Sequence, residues 1–416
     1  MVFGFLKTRV NPIAVDIGTD SVKMLQTEPG NGSNAAPAGA SATGTGATGA
    51  GEPMHLVAAA SADIPDEFRK KPKERAEFVA EAIRKLLQKG GFKGTKAVTC
   101  LPACEMAVQH LRIAKMSDEE LRKALPFEAQ GKLPFDPRRA VLRHVVAGEV
   151  FHETEMKSEV ILMAASRESV ERHLGILDKA KLEVVGIHVE PSALIECFGH
   201  LFNRKGDEDI STMFIDMGAG STHVVIAHGR HLVFAKHVQV GGDTFTRKVA
   251  ETLKQSATAA KELRIKLAHA AAVSRLPAGV VAIGSGGLGT NGDRNGHTPL
   301  DPELVARVNA ALEEPLDILG IELELCVRYY ESIFVGKAID RAIFVGGESR
   351  NTNLCQKVAQ RLGLPATLGD PLARLGRDDK SKCEIDTRTP QPGWAVAVGL
   401  GLGVTGEYPP PFPATQ

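Results

Sequence analysis

Two aspartates, each set in the same short pattern, are the side chains of this sequence best suited to chemistry. Asp16 lies in Ile13-Ala14-Val15-Asp16-Ile17-Gly18-Thr19-Asp20-Ser21-Val22-Lys23. Asp216 lies in Met213-Phe214-Ile215-Asp216-Met217-Gly218-Ala219-Gly220-Ser221-Thr222-His223-Val224-Val225-Ile226. In both, an apolar run of strand character meets Asp-x-Gly and small residues, then resumes. A glycine at such a bend lets the backbone come close to a ligand, and its neighbours can aim N–H groups at an anion. An aspartate beside the bend can hold a divalent cation, usually through water, as Mg2+ prefers. Two such bends facing each other would clamp a nucleotide polyphosphate and its magnesium. A single Asp-x-Gly between apolar runs is ordinarily a hairpin turn. Its repetition in one long chain is what points further.

The elements that must carry these bends are those of an α/β protein. At 416 residues the chain is two to three domain-lengths, and 43% apolar residues suffice for a large core. Lysine plus arginine equals aspartate plus glutamate, so bulk charge does not favour nucleic acid. One Trp and three Tyr offer few base-stacking platforms. Six cysteines (Cys100, Cys104, Cys197, Cys326, Cys355, Cys383) lack zinc-site spacing and read as reduced thiols of a cytoplasmic protein. No apolar run reaches membrane-spanning length. The start, Met1 to Lys7, is too short for a signal peptide and reads as a frayed terminus or a small amphipathic foot.

Along the chain, 29–53 is almost all Gly, Ala, Ser, Thr, Asn and Pro and is expected to be a disordered insert between strands. Phe78, Val79, Ala82, Ile83, Leu86 and Leu87 give helical spacing over 74–89, ended by Gly90-Gly91. Ser117 with Glu120 forms a capping box for a helix that Pro126 is expected to kink or split. The stretch 96–187 reads β-α-β-β-α-β, a small sheet with helices on one face. Later come a Gly-rich loop at about 283–300, a long helical region from Asp301 interrupted at Pro315, and a strand running into Gly346-Gly347-Glu348-Ser349.

In their order, these motifs resemble the actin-like ATPase superfamily. Asp16 through Lys23 looks like its first phosphate motif, Asp216 through Thr222 like its second, and Val345 through Ser349 like its adenosine motif. Val189-Glu190-Pro191-Ser192-Ala193-Leu194 and Ala395-Val396-Ala397-Val398-Gly399-Leu400 look like its two connecting helices. The Ser21-Val22-Lys23 suffix, the segment Leu125-Pro126-Phe127-Glu128 to Lys132-Leu133-Pro134-Phe135-Asp136, and the inserted unit are similar to the PilM/FtsA branch. The resemblance implies duplicated, ribonuclease H-like α/β domains around a nucleotide cleft. The expected layout is 1–95 for the first half of domain 1, 96–187 for the inserted subdomain and 188–210 for a connecting helix. Domain 2 would take 211–392, a second connecting helix 393–406 and a disordered tail 407–416.

The resemblance further implies a cytoplasmic ATP-binding adaptor of a type IV pilus, or related type II secretion, inner-membrane platform. It would bind ATP with Mg2+ and the cytoplasmic N-terminal tail of a PilN-like membrane protein, and hydrolyse slowly or not at all. Pilus motor ATPases and further copies of the chain are additional partners it implies; nucleic acid and a direct membrane span are not expected. Two alternatives stay open: a small-molecule kinase of the same superfamily, for which no Asp-Gly substrate loop is found, and a nucleotide-free scaffold. Asp16 and Asp216 would hold Mg2+ through water, while Gly18, Thr19, Asp20, Ser21, Gly218, Ala219, Gly220, Ser221 and Thr222 would line the phosphates. Asp20 is an awkward occupant, since its charge repels phosphate unless turned away. Lys23 supplies a point charge. Glu190 stands where filament relatives position the attacking water, or is simply an N-terminal helix charge. Gly242, Gly346, Gly347 and Ser349 would pass close to the nucleoside. In Ala260-Lys261-Glu262-Leu263-Arg264, Glu262 and Arg264 are either displaced purine contacts or a charged helix face.

Overall fold

The computed structural model describes residues 10–30, 54–152, 155–273, 280–283, 301–386 and 389–403. Most of the insert expected at 29–53, the loop expected at 283–300, the start of the chain and the 407–416 tail lie outside the described residues. In chain order the elements begin β1 (Ile13–Ile17), β2 (Ser21–Pro29), β3 (Met54–Asp63), α1 (Asp66–Arg69), α2 (Pro72–Lys89) and β4 (Lys96–Cys100). There follow β5 (Met106–Ala114), α3 (Asp118–Glu128), β6 (Ala140–His152), β7 (Glu155–Ser166), α4 (Arg167–Lys179), β8 (Glu183–His188) and α5 (Glu190–Phe198). Then come β9 (Ser211–Met217), β10 (Thr222–His228), β11 (His231–Val238), α6 (Gly242–Leu253), α7 (Ala257–Val273), β12 (Val280–Ile283) and α8 (Pro302–Ile333). The last are β13 (Arg341–Val345), α9 (Thr352–Leu362), β14 (Ala366–Gly369), β15 (Gly376–Cys383) and α10 (Ala395–Leu402).

Three sheets result among the described residues. One has the order β15-β3-β2-β1-β4-β8, another β11-β10-β9-β13-β14-β12, and the third β5-β7-β6. The two large sheets repeat one plan. Three strands meander antiparallel (β1-β2-β3 and β9-β10-β11), and parallel strands extend the other side of β1 and of β9. This is the duplicated α/β architecture expected. Strands β1 and β9 are almost wholly buried, as continuous apolar runs at the centre of a covered sheet must be. The connecting helices α5 and α10 cross between the halves at very short range. A Cβ added at Gly399 would fall 1.8 Å from the Ala193 carbonyl oxygen, so only glycine permits the approach.

Several expectations change. The inserted unit is smaller than 96–187: β4 and β8 pair with the first large sheet, leaving β5, α3, β6 and β7 as the insert. Local sequence gives strand character but not the sheet a strand joins. Strand β15, inside the expected second domain, instead pairs parallel with β3 of the first. Helix α3 runs through Pro126 and α8 through Pro315 without a break. Pro126 sits in the last turn of α3, and Pro315 is buried along a helix of 32 residues whose packing outweighs one lost hydrogen bond. The capping box at Ser117 and Glu120 forms as expected. All six cysteines are free thiols.

The insert is fastened to the second half by a buried ionic node. Glu159 on β7 is fully buried and touches His110 (3.2 Å), Arg112 (3.3 Å) and the Tyr329 hydroxyl (2.7 Å) from α8. Burial raises its pKa, yet hydrogen bonds from His110 and Tyr329 outweigh that and hold it below the usual carboxylate range.

Candidate functional site

Each bend is closed by the same backbone bond. Gly18 N–H donates to the Ser21 carbonyl at 2.9 Å, and Gly218 N–H to the Ser221 carbonyl at 2.9 Å. The bends face each other directly: a methyl added at Gly220 would lie 3.0 Å from Thr19 Oγ1. Asp16 and Asp216, at the ends of β1 and β9, therefore look into one cleft from opposite halves. Helix α2 braces the first bend through Arg75, which donates to the Gly18 carbonyl at 2.7 Å. The second bend is braced by the start of α6, where Gly242 N–H donates to Gly218 (3.0 Å) and Asp243 N–H to Ala219 (2.7 Å). Thr222 Oγ1 donates to the Val240 carbonyl at 2.7 Å, so its hydroxyl holds the fold rather than the cleft.

The adenosine-motif loop closes the same region. Gly346 has φ +89°, and a Cβ there would strike Asp216 Oδ1 at 2.3 Å. Gly347 follows it into the turn. Ser349 is buried and donates to the Val345 carbonyl at 2.5 Å. Glu348 packs over Gly242 and pairs with Arg264. Arg264 is buried, donates to the Gly242 carbonyl (2.9 Å) and Thr246 Oγ1 (2.7 Å), and lies 5.3 Å over the Phe245 ring. Gly242, Arg264, Gly346 and Gly347 are thus brought together, whereas Glu262 is exposed on α7.

Charge is concentrated between the bends. Burial pushes Asp16 up to about 6; Lys23 opposes this, and the negative charges of Glu190 and Asp20 add to it. Burial likewise pushes Asp216 up to about 6, with His223 opposing and Glu190 and Asp16 adding. Asp216 thus feels Asp16 across the cleft, and both feel Glu190. Lys23 sits across the strand pair from Asp16, and His223 across from Asp216. His223 Nδ1 meets Glu190 at 2.5 Å at the start of α5, and its Nε2 lies 3.1 Å from Ser221 Oγ. Burial alone would depress His223, but Glu190 dominates and raises it to about 9. His237 stands edge-on to it at 4.9 Å and is driven down to about 4 by burial and then by the His223 charge. A small, open pocket lies behind, lined by Glu190, His223, His237, Met106 and Val108 among others.

The residues fit a magnesium polyphosphate. Two buried carboxylates with raised pKa are an under-neutralised pair that a dication relieves. No group of three acidic, His or Cys side chains able to hold a metal exists among the described residues. Two carboxylates are enough for Mg2+, which keeps most of its waters and takes one or two carboxylates plus phosphate oxygens. Sequence reasoning missed His223, Glu348 and Arg69. A signal for His223 was present, because it follows Asp216 at the same offset at which Lys23 follows Asp16.

Comparison with known proteins gives a concordant result. A family model described as type IV pilus assembly protein PilM matches residues 51–271, more than half of the chain. A model for cell division protein FtsA matches residues 213–399. Cell division protein FtsA of Bacillus subtilis (strain 168) is 24% identical over 115 residues, 28% of this chain and 25% of that protein. Its counterpart in Enterococcus faecalis is 31% identical over 94 residues, 23% of this chain and 20% of that protein. The matches span a quarter or less of the length of these curated relatives. A solved PilM-PilN type IV pilus biogenesis complex superposes with a TM-score of 0.70 at 21% identity, covering 96% of this chain and 99% of that chain, which shows a shared fold.

Proposed function

The chain belongs to the family of type IV pilus assembly protein PilM, and from that premise we propose that it is an ATP-binding adaptor of a pilus inner-membrane assembly platform. The observation that carries this reading is the contact between the bends at Thr19 and Gly220, with Asp16 and Asp216 on either side. Asp16 and Asp216 would hold Mg2+ through water, and the metal would neutralise phosphate charge. The N–H groups around Gly18 and Gly218 and the charge of Lys23 would hold the phosphates. Arg264, Gly242, Gly346 and Gly347 would bound the nucleoside. Glu190 is engaged by His223 rather than free to orient a water, which supports slow or absent hydrolysis.

Bound nucleotide would favour the closed cleft by its differential affinity for that form and so set the surface offered to partners. The partner proposed is the cytoplasmic N-terminal tail of a PilN-like membrane protein, with motor ATPases and further copies of the chain as additional contacts. No helix among the described residues is long and apolar enough to cross a membrane, so association with the inner membrane would run through that partner. Mg-ATP is expected to raise the melting temperature of the full chain, and Asp216→Ala to remove most of the shift. An unchanged melting temperature with Mg-ATP would return the chain to a nucleotide-independent scaffold. Retention of the chain on an immobilised PilN-like tail peptide tests the adaptor role separately.

A further inference from the structure

The two bends are braced from outside by different helices, and one ion pair joins the braces. On the first half, Arg75 of α2 holds the Gly18 carbonyl, and α1 is packed on α2 by Phe68, whose ring stacks 5.1 Å from that of Phe78. Arg69 is the last residue of α1. On the second half, Asp243 stands in the first turn of α6, and its own N–H holds the Ala219 carbonyl at 2.7 Å. Arg69 Nη1 donates to Asp243 Oδ1 at 2.6 Å, from one half to the other. Beside this pair, Asp20 Oδ2 of the first bend lies 3.7 Å from Lys261 on α7 of the second half. We propose that the Arg69–Asp243 pair is a latch: it holds the two bends at their closed separation and slows the passage of a ligand into and out of the cleft between them.

The geometry sets this pair apart from an ordinary surface contact. The Arg69 side chain is 13% exposed, and of its three guanidinium nitrogens only Nη1 makes a hydrogen bond. Nε, 3.1 Å from Asp66, and Nη2, 3.7 Å from Asp20, are buried and have no hydrogen-bond partner among the described residues. The one well-formed bond of this guanidinium therefore goes to the opposite half, while two carboxylates of its own half stand close by. When the halves part, Asp66 and Asp20 can take the cation over, so Arg69 is never left unpaired and the latch can release. The Asp20–Lys261 contact is longer, its side chains are about one-third exposed, and solvent screens it, so it adds little. Because the latch runs from brace to brace, its loss frees one bend to move against the other without unfolding either half. The bends touch at Thr19 and Gly220, so a ligand lying between them requires them to part. The effect on nucleotide exchange rests on the nucleotide-binding reading of the cleft; the latch itself does not.

Spin labels at Lys73→Cys on α2 and Glu251→Cys on α6, with the exposed Cys104 replaced by serine, report the separation of the halves in the full chain before any nucleotide is added. A single narrow distance is expected for the parent, and a second, longer population for Arg69→Gln and for Asp243→Asn. Release of a fluorescent ATP analogue and of its ADP counterpart, followed by stopped flow on unlabelled chains, is expected to be about three- to tenfold faster in each variant and alike for the two nucleotides. Both substitutions remove one interaction, so the double variant should open and release no more than either single one. Unchanged distances in both single variants, unchanged release of a nucleotide that binds, or effects that simply add in the double variant each overturn the proposal. A longer population in the variants, with neither nucleotide binding any chain, supports the latch and overturns the nucleotide reading instead.

Discussion

The bend at Asp16 and the bend at Asp216 share a backbone and differ in how their charge is handled. Opposite Asp16 stands Lys23; opposite Asp216 stands His223. Where the second bend has Gly220, the first has Asp20. The first half thus presents side-chain charge of both signs, with Asp20 drawn toward Arg69 and Lys261. The second offers bare backbone and a single imidazole, committed to Glu190 on the connecting helix α5. Raised to about 9, that imidazole is charged at neutral pH and gives up its proton in the alkaline range, below where a lysine ordinarily does. A duplicated fold therefore yields one half whose cation is tied to α5 and to alkaline pH, and one that carries side-chain charge of both signs in its bend.

The largest expected difference lies in the backbone of the two bends. Gly346, packed on the second bend, has φ +89° and no room for a Cβ beside Asp216 Oδ1 (2.3 Å) or the Met217 carbonyl oxygen (2.4 Å). Gly346→Ala should cost about 3 kcal/mol or more in urea denaturation, from left-handed strain plus the displaced bend. The first bend has no such partner: a Cβ at Gly18 meets only the Ser21 carbonyl oxygen at 3.3 Å. Gly18→Ala should cost about 1 kcal/mol. Equal costs would mean that the adenosine-motif loop does not hold the second bend.

The next difference is in pH dependence. His223 is raised to about 9, above the ordinary 6.5. Its pairing with Glu190 is therefore fully stabilising below about pH 6.5 and is lost as pH rises through about 9. His223→Gln should destabilise by about 2 kcal/mol at pH 7, because it leaves Glu190 without its partner, and by far less at pH 10. His223→Lys, which gives the second bend the first bend's cation, should flatten the decline between pH 8 and 10. Asp16 and Asp216 work in the other sense. Their raised values, about 6 against 3.8, mean that the fold favours their protonated forms; that contribution is present below about pH 4 and lost as pH rises through about 6. Mg-ATP should accordingly raise the melting temperature more at pH 7 than at pH 5, since protons must leave before the cation is held.

The bends were legible because Asp-x-Gly between apolar runs is a local pattern, and both copies lie in central strands that read as continuous apolar runs. What was not legible depends on partners distant in sequence. Strand β15 reads Gly-Arg-Asp-Asp-Lys-Ser-Lys-Cys, with no apolar periodicity; it is an edge strand held by its ladder to β3 and by Ser381 Oγ donating to the Leu56 carbonyl at 2.6 Å. Strands β4 and β8 looked like part of the insert because they flank it. Only pairing with β1 and with each other assigns them to the first half. His223 sits in an apolar strand, where a histidine reads as a core residue until Glu190 is seen beside it. Arg69 lies in a helix of four residues, too short for any periodic signal.

The smallest difference concerns the serines that occupy the same place in each bend. Ser221 Oγ lies 3.1 Å from His223 Nε2 and accepts a hydrogen bond from its N–H when the ring is charged. Ser21 Oγ donates to Asp20 Oδ1 at 3.4 Å, a long contact from a buried residue at the start of β2. Ser221→Ala should therefore cost about 1.5 kcal/mol at pH 7, the low end of the range for a hydrogen bond to a charged group. Ser21→Ala should stay within about 0.5 kcal/mol. The pH dependence separates this from a packing effect. A lost packing contact destabilises equally at pH 7 and pH 10, whereas the cost of losing an imidazolium partner disappears once His223 gives up its proton. A Ser221→Ala penalty that persists unchanged above pH 9 would show that the hydroxyl shapes the bend rather than holding the ring.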